Sequence, residues 1–310
     1  MNCSFKILWF EDDGSWYRSV ENIPKQILGK HYLISECKRK VGNDWNISDL
    51  TGNDYDLILM DYKLISENTG DIIIQKIRAA DVLTDVLFYS SDYDNMLKAI
   101  QILSPPIDGI YYADRKSESF MDKIEKLIEK IIRRSEDIIN LRGFVLDSAS
   151  DFETRIKTCI KNIRKKFNKT EKADIDIKMK EQISLFNIKE FQPKVEKYSS
   201  RGSTFSAVMK DTGFFPNSEW LVVMTNILEI LKVNYGFSSS NFPDNFKNTY
   251  TDKIAIFRNA LSHRAANDKT IKIKGESIPI DETLFKTMRL NINDMQAYIK
   301  TLENFAEKGL

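Results

Sequence analysis

The chain has 310 residues, a length that suggests two domains, and its 46 Lys and Arg against 45 Asp and Glu give a formal net charge of +1. So balanced a charge argues against a uniformly basic nucleic-acid binder, and no apolar run approaches the ~20 residues that a bilayer-spanning helix needs. The three cysteines (Cys3, Cys37, Cys159) show no metal or disulfide spacing, which favours buried thiols in a reducing cytoplasm. With only two histidines (His31, His263), a multi-histidine metal centre within one chain is excluded.

Residues 1–116 alternate short apolar strands with helices. This alternation predicts an α/β domain with a doubly wound, five-stranded parallel sheet. The predicted strands are Lys6–Phe10, His31–Glu36, Leu57–Met60, Asp85–Tyr89 and Gly109–Tyr112. The helices between them include Gly70–Arg78 and Tyr93–Leu103.

Polar side chains follow three of these strands at the point where each strand ends. They are Glu11, Asp12, Asp13, Asp61, Ser90 and Ser91. Because the carboxyl ends of parallel strands meet at one edge, we expect these side chains to lie close together. Acids there can hold a divalent cation, an Asp can attack phosphorus, and a hydroxyl can bond a phosphoryl oxygen. Taken alone, Asp61 is better interpreted as an Asp that caps a turn; the neighbouring strand ends change that interpretation.

About the first third of the chain resembles the receiver domain of two-component response regulators, which has a flavodoxin-like fold. The resemblance rests on four motifs: ILWFEDD, LILMDYKL, TGDIIIQKIRA (residues 69–79) and LFYSS. The resemblance implies that Asp61 is the phospho-acceptor and Ser90 the phosphoryl switch. It also implies a Mg²⁺ site formed by Glu11, Asp12, Asp61 and the backbone carbonyl of Lys63, and a histidine kinase or other phosphodonor as partner.

One position departs from the receiver pattern. The family has a Lys near the end of the fifth strand that pairs with the phosphoryl group, and here the matching residue is Ala113, followed by Asp114. Arg115 or Lys116 is close enough along the chain to reach back. Without that Lys, phosphorylation is expected to be slow, absent or decoupled from the usual switch.

Residues 117–140 form a predicted amphipathic helix. Its apolar residues recur at spacings of three and four, which is typical of one buried helix face. They are Phe120, Ile124, Leu127, Ile128, Ile131, Ile132, Ile138 and Ile139. We interpret this segment as a connector helix between two domains; the alternative is a long last helix that packs only on its own sheet.

Helical periods dominate residues 141–310, which we predict to be an all-α domain with a small β-hairpin insertion. The predicted helices include Phe152–Phe167, Ile175–Phe191, Trp220–Tyr235 and Tyr250–Ala265, and the last runs from Asp281 to about Glu307. Alternating residues in Thr270–Ile280 predict the hairpin.

The stretch YTDKIAIFRNALSHRA, Tyr250–Ala265, carries Arg258, Asn259 and His263 in an R-N-x-x-x-H arrangement. This arrangement resembles the signature of HEPN domains, helical modules common among prokaryotic toxin and defence ribonucleases, in which two copies form a composite site. The resemblance implies a homodimer with RNA as substrate, with His263 as general acid/base, Arg258 stabilising charge and Asn259 orienting the substrate. The alternative is a helix-surface histidine beside a salt-bridging arginine.

Together these patterns suggest a cytoplasmic regulator. The leading hypothesis is a receiver-controlled, metal-independent endoribonuclease of a bacterial toxin or anti-phage type, in which Mg²⁺ serves only the receiver site. The alternative is a non-catalytic signalling protein whose receiver controls dimerisation and partner binding by the helical domain. A DNA-binding regulator is less favoured, because no short helix-turn-helix pattern or basic recognition helix is evident.

Overall fold

The computed structural model describes residues 3–41, 44–51, 54–64, 69–101, 108–116, 118–185, 196–198, 204–210, 215–237 and 242–308. The chain divides into two compact units. The first comprises Met1–Asn140 and Asp281–Arg289, and the second comprises Leu141–Ile280 and Leu290–Leu310. This division places the predicted connector 117–140 inside the first unit and adds to that unit a segment from the predicted last helix.

The first unit contains a five-stranded parallel sheet in the order β2-β1-β3-β4-β5, which confirms the predicted fold class. The strands are β1 (Ser4–Phe10), β2 (Ile34–Lys40), β3 (Leu57–Asp61), β4 (Val86–Ser90) and β5 (Ile110–Asp114). Every residue of β3 and β4 is buried, as expected for central strands with helices on both faces. β2 lies at an edge, and it begins three residues later than predicted because His31 and Tyr32 belong to the preceding turn.

Helices cover both faces of this sheet. They are α1 (Gly14–Val20), α2 (Asn22–Gly29), α3 (Ser48–Thr51), α4 (Gly70–Ala79), α5 (Tyr93–Gln101) and α6 (Glu118–Ser135). One buried cluster joins the sheet to residues of α2 and α6, and the other joins it to residues of α3, α4 and α5. The predicted end of α5 at Leu103 lies outside the described residues.

Helix α6 packs on the sheet of its own unit. Phe120, Ile124, Leu127, Ile128 and Ile132 are buried, and all five belong to the core cluster that contains the β1 residues Phe5, Ile7 and Trp9. Its apolar stripe is therefore used within the first unit. Over Glu118–Ser135 these contacts are those of a last helix on its own sheet. The predicted helix 117–140 is wrong in its end, because α6 stops at Ser135 and a separate helix begins at Ile138.

The residues after α6 are mainly helical, with one two-stranded antiparallel hairpin, as predicted. The helices are α7 (Ile138–Lys166), α8 (Lys169–Ser184), α9 (Thr204–Val208), α10 (Asn217–Tyr235), α11 (Phe246–Tyr250), α12 (Ile256–Leu261) and α13 (Glu282–Lys308), and the hairpin strands are β6 (Thr270–Ile273) and β7 (Glu276–Pro279). The predicted end of α8 at Phe191 lies outside the described residues. Among the helices that are described, none combines the length and apolar composition needed to cross a bilayer.

The predicted helix Tyr250–Ala265 differs from the structure. The chain forms α11, then a π-helical turn at Thr251–Ala255, then α12, which ends at Leu261. His263 therefore follows the helix and lies in a turn, so the one-face geometry expected for a regular helix through Asn259 and His263 does not apply.

Candidate functional site

The carboxyl ends of β1, β3 and β4 bring three of the predicted site residues to one edge of the sheet. Asp61 is the last residue of β3 and is only 1% exposed, while Glu11 after β1 and Ser90 at the end of β4 are fully buried. The strand register pairs Asp61 with Tyr89, the residue before Ser90. The sheet thus holds these groups on rigid elements, as the sequence predicted.

Asp61 lies in an environment that disfavours its charge. Its Oδ1 atom is buried and has no hydrogen-bond partner among the described residues, whereas Oδ2 lies 3.5 Å from Nη1 of Arg115. Burial first, and then the neighbouring carboxylate of Glu11, raise the pKa of Asp61 to about 7, although Arg115 and the backbone N–H groups of Lys63 and Tyr62 act in the opposite direction. Asp61 is therefore an acid that titrates near neutral pH.

Glu11 is held by donors on both of its oxygens. The backbone N–H of Asp13 donates to Oε1 at 2.7 Å, and the hydroxyl of Tyr89 donates to Oε2 at 2.9 Å. The indole N–H of Trp9 donates in turn to the Tyr89 hydroxyl at 2.7 Å. Burial raises the pKa of Glu11 above its usual value, opposed chiefly by Arg115.

The sequence did not identify Trp9 and Tyr89 as site residues. Each occupies a position where a strand pattern predicts an ordinary core aromatic, and both belong to the same core cluster. Their closeness to the strand ends is the sequence feature that could have identified them as site residues. Trp9 lies two residues before Glu11, and Tyr89 directly precedes Ser90. Their polar atoms make them positioning residues for Glu11 as well as core residues.

Arg115 supplies a cation at the site even though Ala113 occupies the expected Lys position. Its guanidinium lies 2.8 Å from Asp13 Oδ2, 3.5 Å from Glu11 Oε1 and 3.5 Å from Asp61 Oδ2, and it also stacks 4.3 Å above the Trp16 ring. Its backbone N–H donates to the carbonyl of Ser90 at 2.9 Å, which fixes the turn after β5. The side chain of the neighbouring Lys116 is exposed.

Ser90 and Lys63 both contact Asp92, near the carboxyl end of β4. The Ser90 hydroxyl oxygen accepts the backbone N–H of Asp92 at 2.9 Å, and the Lys63 ammonium pairs with the Asp92 carboxylate at 2.8 Å. The Lys63 side chain is therefore directed to Asp92. Its main chain is the part that lies near Asp61, as the backbone N–H effect on the pKa of Asp61 indicates.

The predicted Mg²⁺ site has suitable donor chemistry. Carboxylate and carbonyl oxygens are the ligands that Mg²⁺ prefers, and within the described segments the buried Oδ1 of Asp61 is an acceptor oxygen without a partner. The described residues contain no group of three or more His, Cys, Asp and Glu side chains already arranged around a metal position. A cation would thus rely on Asp61, Glu11, Asp12 and the Lys63 carbonyl together with water, and it would compete with Arg115 for the carboxylates.

In the second unit the three residues of the R-N-x-x-x-H motif do not converge. The Arg258 guanidinium forms an ion pair with Glu153 of α7 and also donates to Asn259 Oδ1 at 3.2 Å. Glu153 is further held by Asn217 and by the buried Tyr250, whose hydroxyl lies 3.4 Å away. Arg258 is therefore a member of a local polar network, which matches the salt-bridging alternative for this residue.

Asn259 and His263 are exposed and share a shallow cavity of about 630 Å³. The same cavity is lined by the basic side chains of Arg264, Lys272 and Lys274. The last two come from the hairpin, whose cations were not connected with the motif by the sequence. The cavity is open and basic, with a histidine at its wall.

Comparison with known proteins yields structural similarities only: no protein-family model matches the sequence, and neither does any curated protein. The receiver domain of a Francisella response regulator is 16% identical and covers 42% of this chain and 97% of that one, with a TM-score of 0.31. A response regulator receiver domain protein from Clostridium thermocellum is 17% identical, over 42% of this chain and 95% of that one, with a TM-score of 0.33. Full-length FixJ from B. japonicum is 13% identical, over 73% of this chain and 98% of that one, with a TM-score of 0.33.

TM-scores of 0.31–0.33 do not establish a shared fold. The fold of the first unit therefore rests on its own strand order and register. The HEPN-like resemblance of residues 141–310 finds no support in these comparisons.

Proposed function

We propose that the first unit is a phosphorylatable receiver and that the protein acts in signalling of the response-regulator type. The observation that carries this proposal is the position of Asp61 at the end of the central strand β3. One oxygen of its buried carboxylate meets no hydrogen-bond partner in the described part of the chain, and a guanidinium lies 3.5 Å from the other. An acid so placed is costly to the fold, and such placement is typical of functional sites.

In the proposed reaction a carboxylate oxygen of Asp61 attacks the phosphorus of a phosphodonor. A new O–P bond forms, the bond between phosphorus and the donor's leaving group breaks, and the leaving group departs with the bonding electron pair. Arg115 offsets the negative charge that the phosphoryl group adds. The Ser90 hydroxyl, which now accepts the backbone N–H of Asp92, would donate its proton to a phosphoryl oxygen. A Mg²⁺ ion, when bound, would neutralise charge on the transferring group. A histidine kinase or a small phosphodonor would be the partner.

The first prediction is that acetyl phosphate with Mg²⁺ phosphorylates the full-length protein at Asp61. Intact-mass spectrometry should show the gain of one phosphoryl group in the wild type and no gain in Asp61→Asn. The reaction should accelerate with pH because only ionised Asp61 attacks. Bound Mg²⁺ favours the carboxylate, so this rise should lie below the pH of about 7 at which Asp61 ionises without the metal. Asp92→Asn, which alters a neighbouring carboxylate outside the proposed metal site, serves as the matched control and should still be modified.

Arg115 distinguishes this receiver from the lysine-containing pattern. Arg115→Ala should slow phosphorylation and Arg115→Lys should partly restore it, since the lysine keeps the cation but loses the two-pronged geometry. A wild type that gains no phosphoryl group from acetyl phosphate and binds no beryllofluoride at any pH would refute the receiver proposal.

For the second unit we propose, as a second candidate, metal-independent RNA cleavage by a homodimer, of the toxin or anti-phage type. What favours it is the shared basic cavity of Asn259 and His263. RNA carries its own 2′-OH nucleophile, so a histidine that moves protons and cations that offset phosphate charge are sufficient for the reaction. In this arrangement Arg264, Lys272 and Lys274 would offset the charge, whereas Arg258 would support the local fold through Glu153.

The second prediction separates this candidate from a non-catalytic signalling protein. His263→Ala should lower cleavage of a mixed RNA substrate by roughly 10²- to 10⁴-fold, with wild-type products ending in 2′,3′-cyclic phosphate. His31→Ala, which removes the other histidine, should leave cleavage unchanged. If the purified wild type cleaves no RNA at any protein concentration, the helical unit is a partner-binding or dimerisation module instead.

A further inference from the structure

A second cavity lies at the amino ends of the strands, whereas Asp61 lies at their carboxyl ends. It has a volume of about 450 Å³, within the range typical of small-molecule sites. Its walls come from the start of β1, from the residues before β2 and β3, from the end of α6, and from Arg289. All of these residues belong to the first unit.

Two buried polar groups that line this cavity, on Arg289 and Ser4, have no hydrogen-bond partner within the part of the chain that the structure describes. Arg289 is 1% exposed, and although its Nη1 donates to Glu136 at 3.0 Å, its Nε–H meets no acceptor among the described residues. The buried hydroxyl of Ser4 likewise has no partner. Leaving a buried donor without an acceptor is energetically unfavourable, so both groups favour a ligand that presents acceptor oxygens.

The same cavity is lined by two exposed acids, Asp54 and Asp56, and by the half-buried Lys6. Asp56 is an exposed residue whose carboxylate accepts the backbone N–H of Lys6 at 2.8 Å. Partial burial raises the pKa of this carboxyl above its usual value, and the hydrogen bond from Lys6 and the Lys6 charge oppose that rise. A cationic group from a ligand would stabilise its charged form. The remaining wall is apolar and includes Leu33, Ile131 and Ile132.

We propose that this cavity binds a small zwitterion, an α-amino acid with an aliphatic side chain. The carboxylate would accept from Arg289 Nε–H and the Ser4 hydroxyl, the ammonium would face Asp54 and Asp56, and the side chain would lie against the apolar wall. A purely anionic ligand would leave Asp54 and Asp56 without a cation beyond Lys6, and a purely cationic one would leave the Arg289 Nε–H without an acceptor. The inference is independent of phosphorylation and gives the first unit a metabolite site remote from Asp61.

The test is calorimetric titration of the full-length protein with L-leucine, compared with isocaproate, which lacks the amine, and isoamylamine, which lacks the carboxylate. L-leucine should bind saturably, at one molecule per chain, and raise the melting temperature, whereas the two truncated analogues should bind at least roughly tenfold more weakly. Asp61→Asn should bind L-leucine as the wild type does.

Three variants locate the site. Ser4→Ala removes a hydroxyl that has no partner, so it should leave the fold intact and weaken L-leucine binding by roughly five- to tenfold. Asp54→Asn, at an exposed position, and Arg289→Lys, which keeps a cation opposite Glu136, should each weaken binding similarly. Ser19→Ala, a serine outside the cavity, should have no effect. Absence of saturable L-leucine binding, or binding that none of the three variants weakens, would overturn the proposal.

Discussion

At Asp61, burial and the nearby Glu11 carboxylate outweigh the attraction of Arg115. The pKa of Asp61 rises to about 7 even though a guanidinium lies 3.5 Å from its Oδ2. Because the folded pKa exceeds the usual 3.8, the folded protein binds this proton more tightly than the unfolded chain does. The resulting contribution to stability is fully present below about pH 4 and is lost as the pH rises through 7.

We therefore expect Asp61→Asn, which cannot ionise, to be more stable than the wild type at pH 8, by roughly 2–4 kcal/mol. The difference should shrink as the pH falls and should be nearly absent at pH 4. Urea unfolding across this pH range measures it. Added Mg²⁺ should narrow the gap at pH 8 by stabilising the ionised wild type. A gap that is constant with pH would show that Asp61 does not carry the raised pKa.

The edge residues show what local patterns can reveal about individual side chains. Glu11, Asp61 and Ser90 were placed correctly at one edge because a strand end follows directly from an apolar run that stops. The sequence does not decide whether Arg115 or Lys116 supplies the cation at this edge. The direction of a side chain after a strand depends on the turn and, for Arg115, on its stacking on the ring of Trp16. The spacing of apolar residues along one strand predicts neither the turn geometry nor the position of that ring.

Among the elements, α4 depends on a close approach that only glycine permits. A Cβ atom at Gly70 would lie 2.2 Å from the backbone oxygen of Asp61 and 2.7 Å from a ring carbon of Phe88. The Gly70 N–H also donates to the carbonyl of Tyr62 at 3.0 Å, so the helix start is tied to the chain that follows β3. The first turn of α4 and the proposed phospho-acceptor therefore share one rigid junction.

Gly70→Ala should accordingly destabilise the protein by roughly 1–3 kcal/mol or more, since backbone rather than a flexible side chain must move. Gly29→Ala is the matched control in the same unit, because a Cβ there would meet nothing within 4 Å. Thermal unfolding of the two variants measures the difference, and phosphorylation of Gly70→Ala should also slow as Asp61 shifts. Equal stability of the two variants would contradict the close approach.

Element ends were less predictable than element types. The long helix expected over Tyr250–Ala265 instead contains a π-helical turn and ends at Leu261, before His263. Its apolar spacing indicated a helix but could not locate the change in hydrogen bonding or the end. The network of Glu153, Tyr250 and Asn217 that engages Arg258 was missed for a related reason, because its members are far apart in sequence.

Over the whole molecule, the first unit combines residues from both ends of the chain. Arg289 from near the end of the sequence pairs with Glu136 at 3.0 Å, and both side chains are almost completely buried. Removing one partner of such a pair leaves a buried charge without compensation. The first unit is therefore not one continuous stretch of the sequence.

The sequence by itself determined the class of each part of the chain: a parallel α/β sheet with acids at its strand ends, followed by a mainly helical region with one hairpin. These features follow from the spacing of apolar residues, which is a local property. Only the tertiary structure decided that Arg115 reaches Asp61, that Arg258 pairs with Glu153, and that Asp281–Arg289 belongs to the first unit and supplies Arg289 to its cavity. Each of these is a contact between residues distant in sequence, and its partner is chosen by packing and charge in three dimensions.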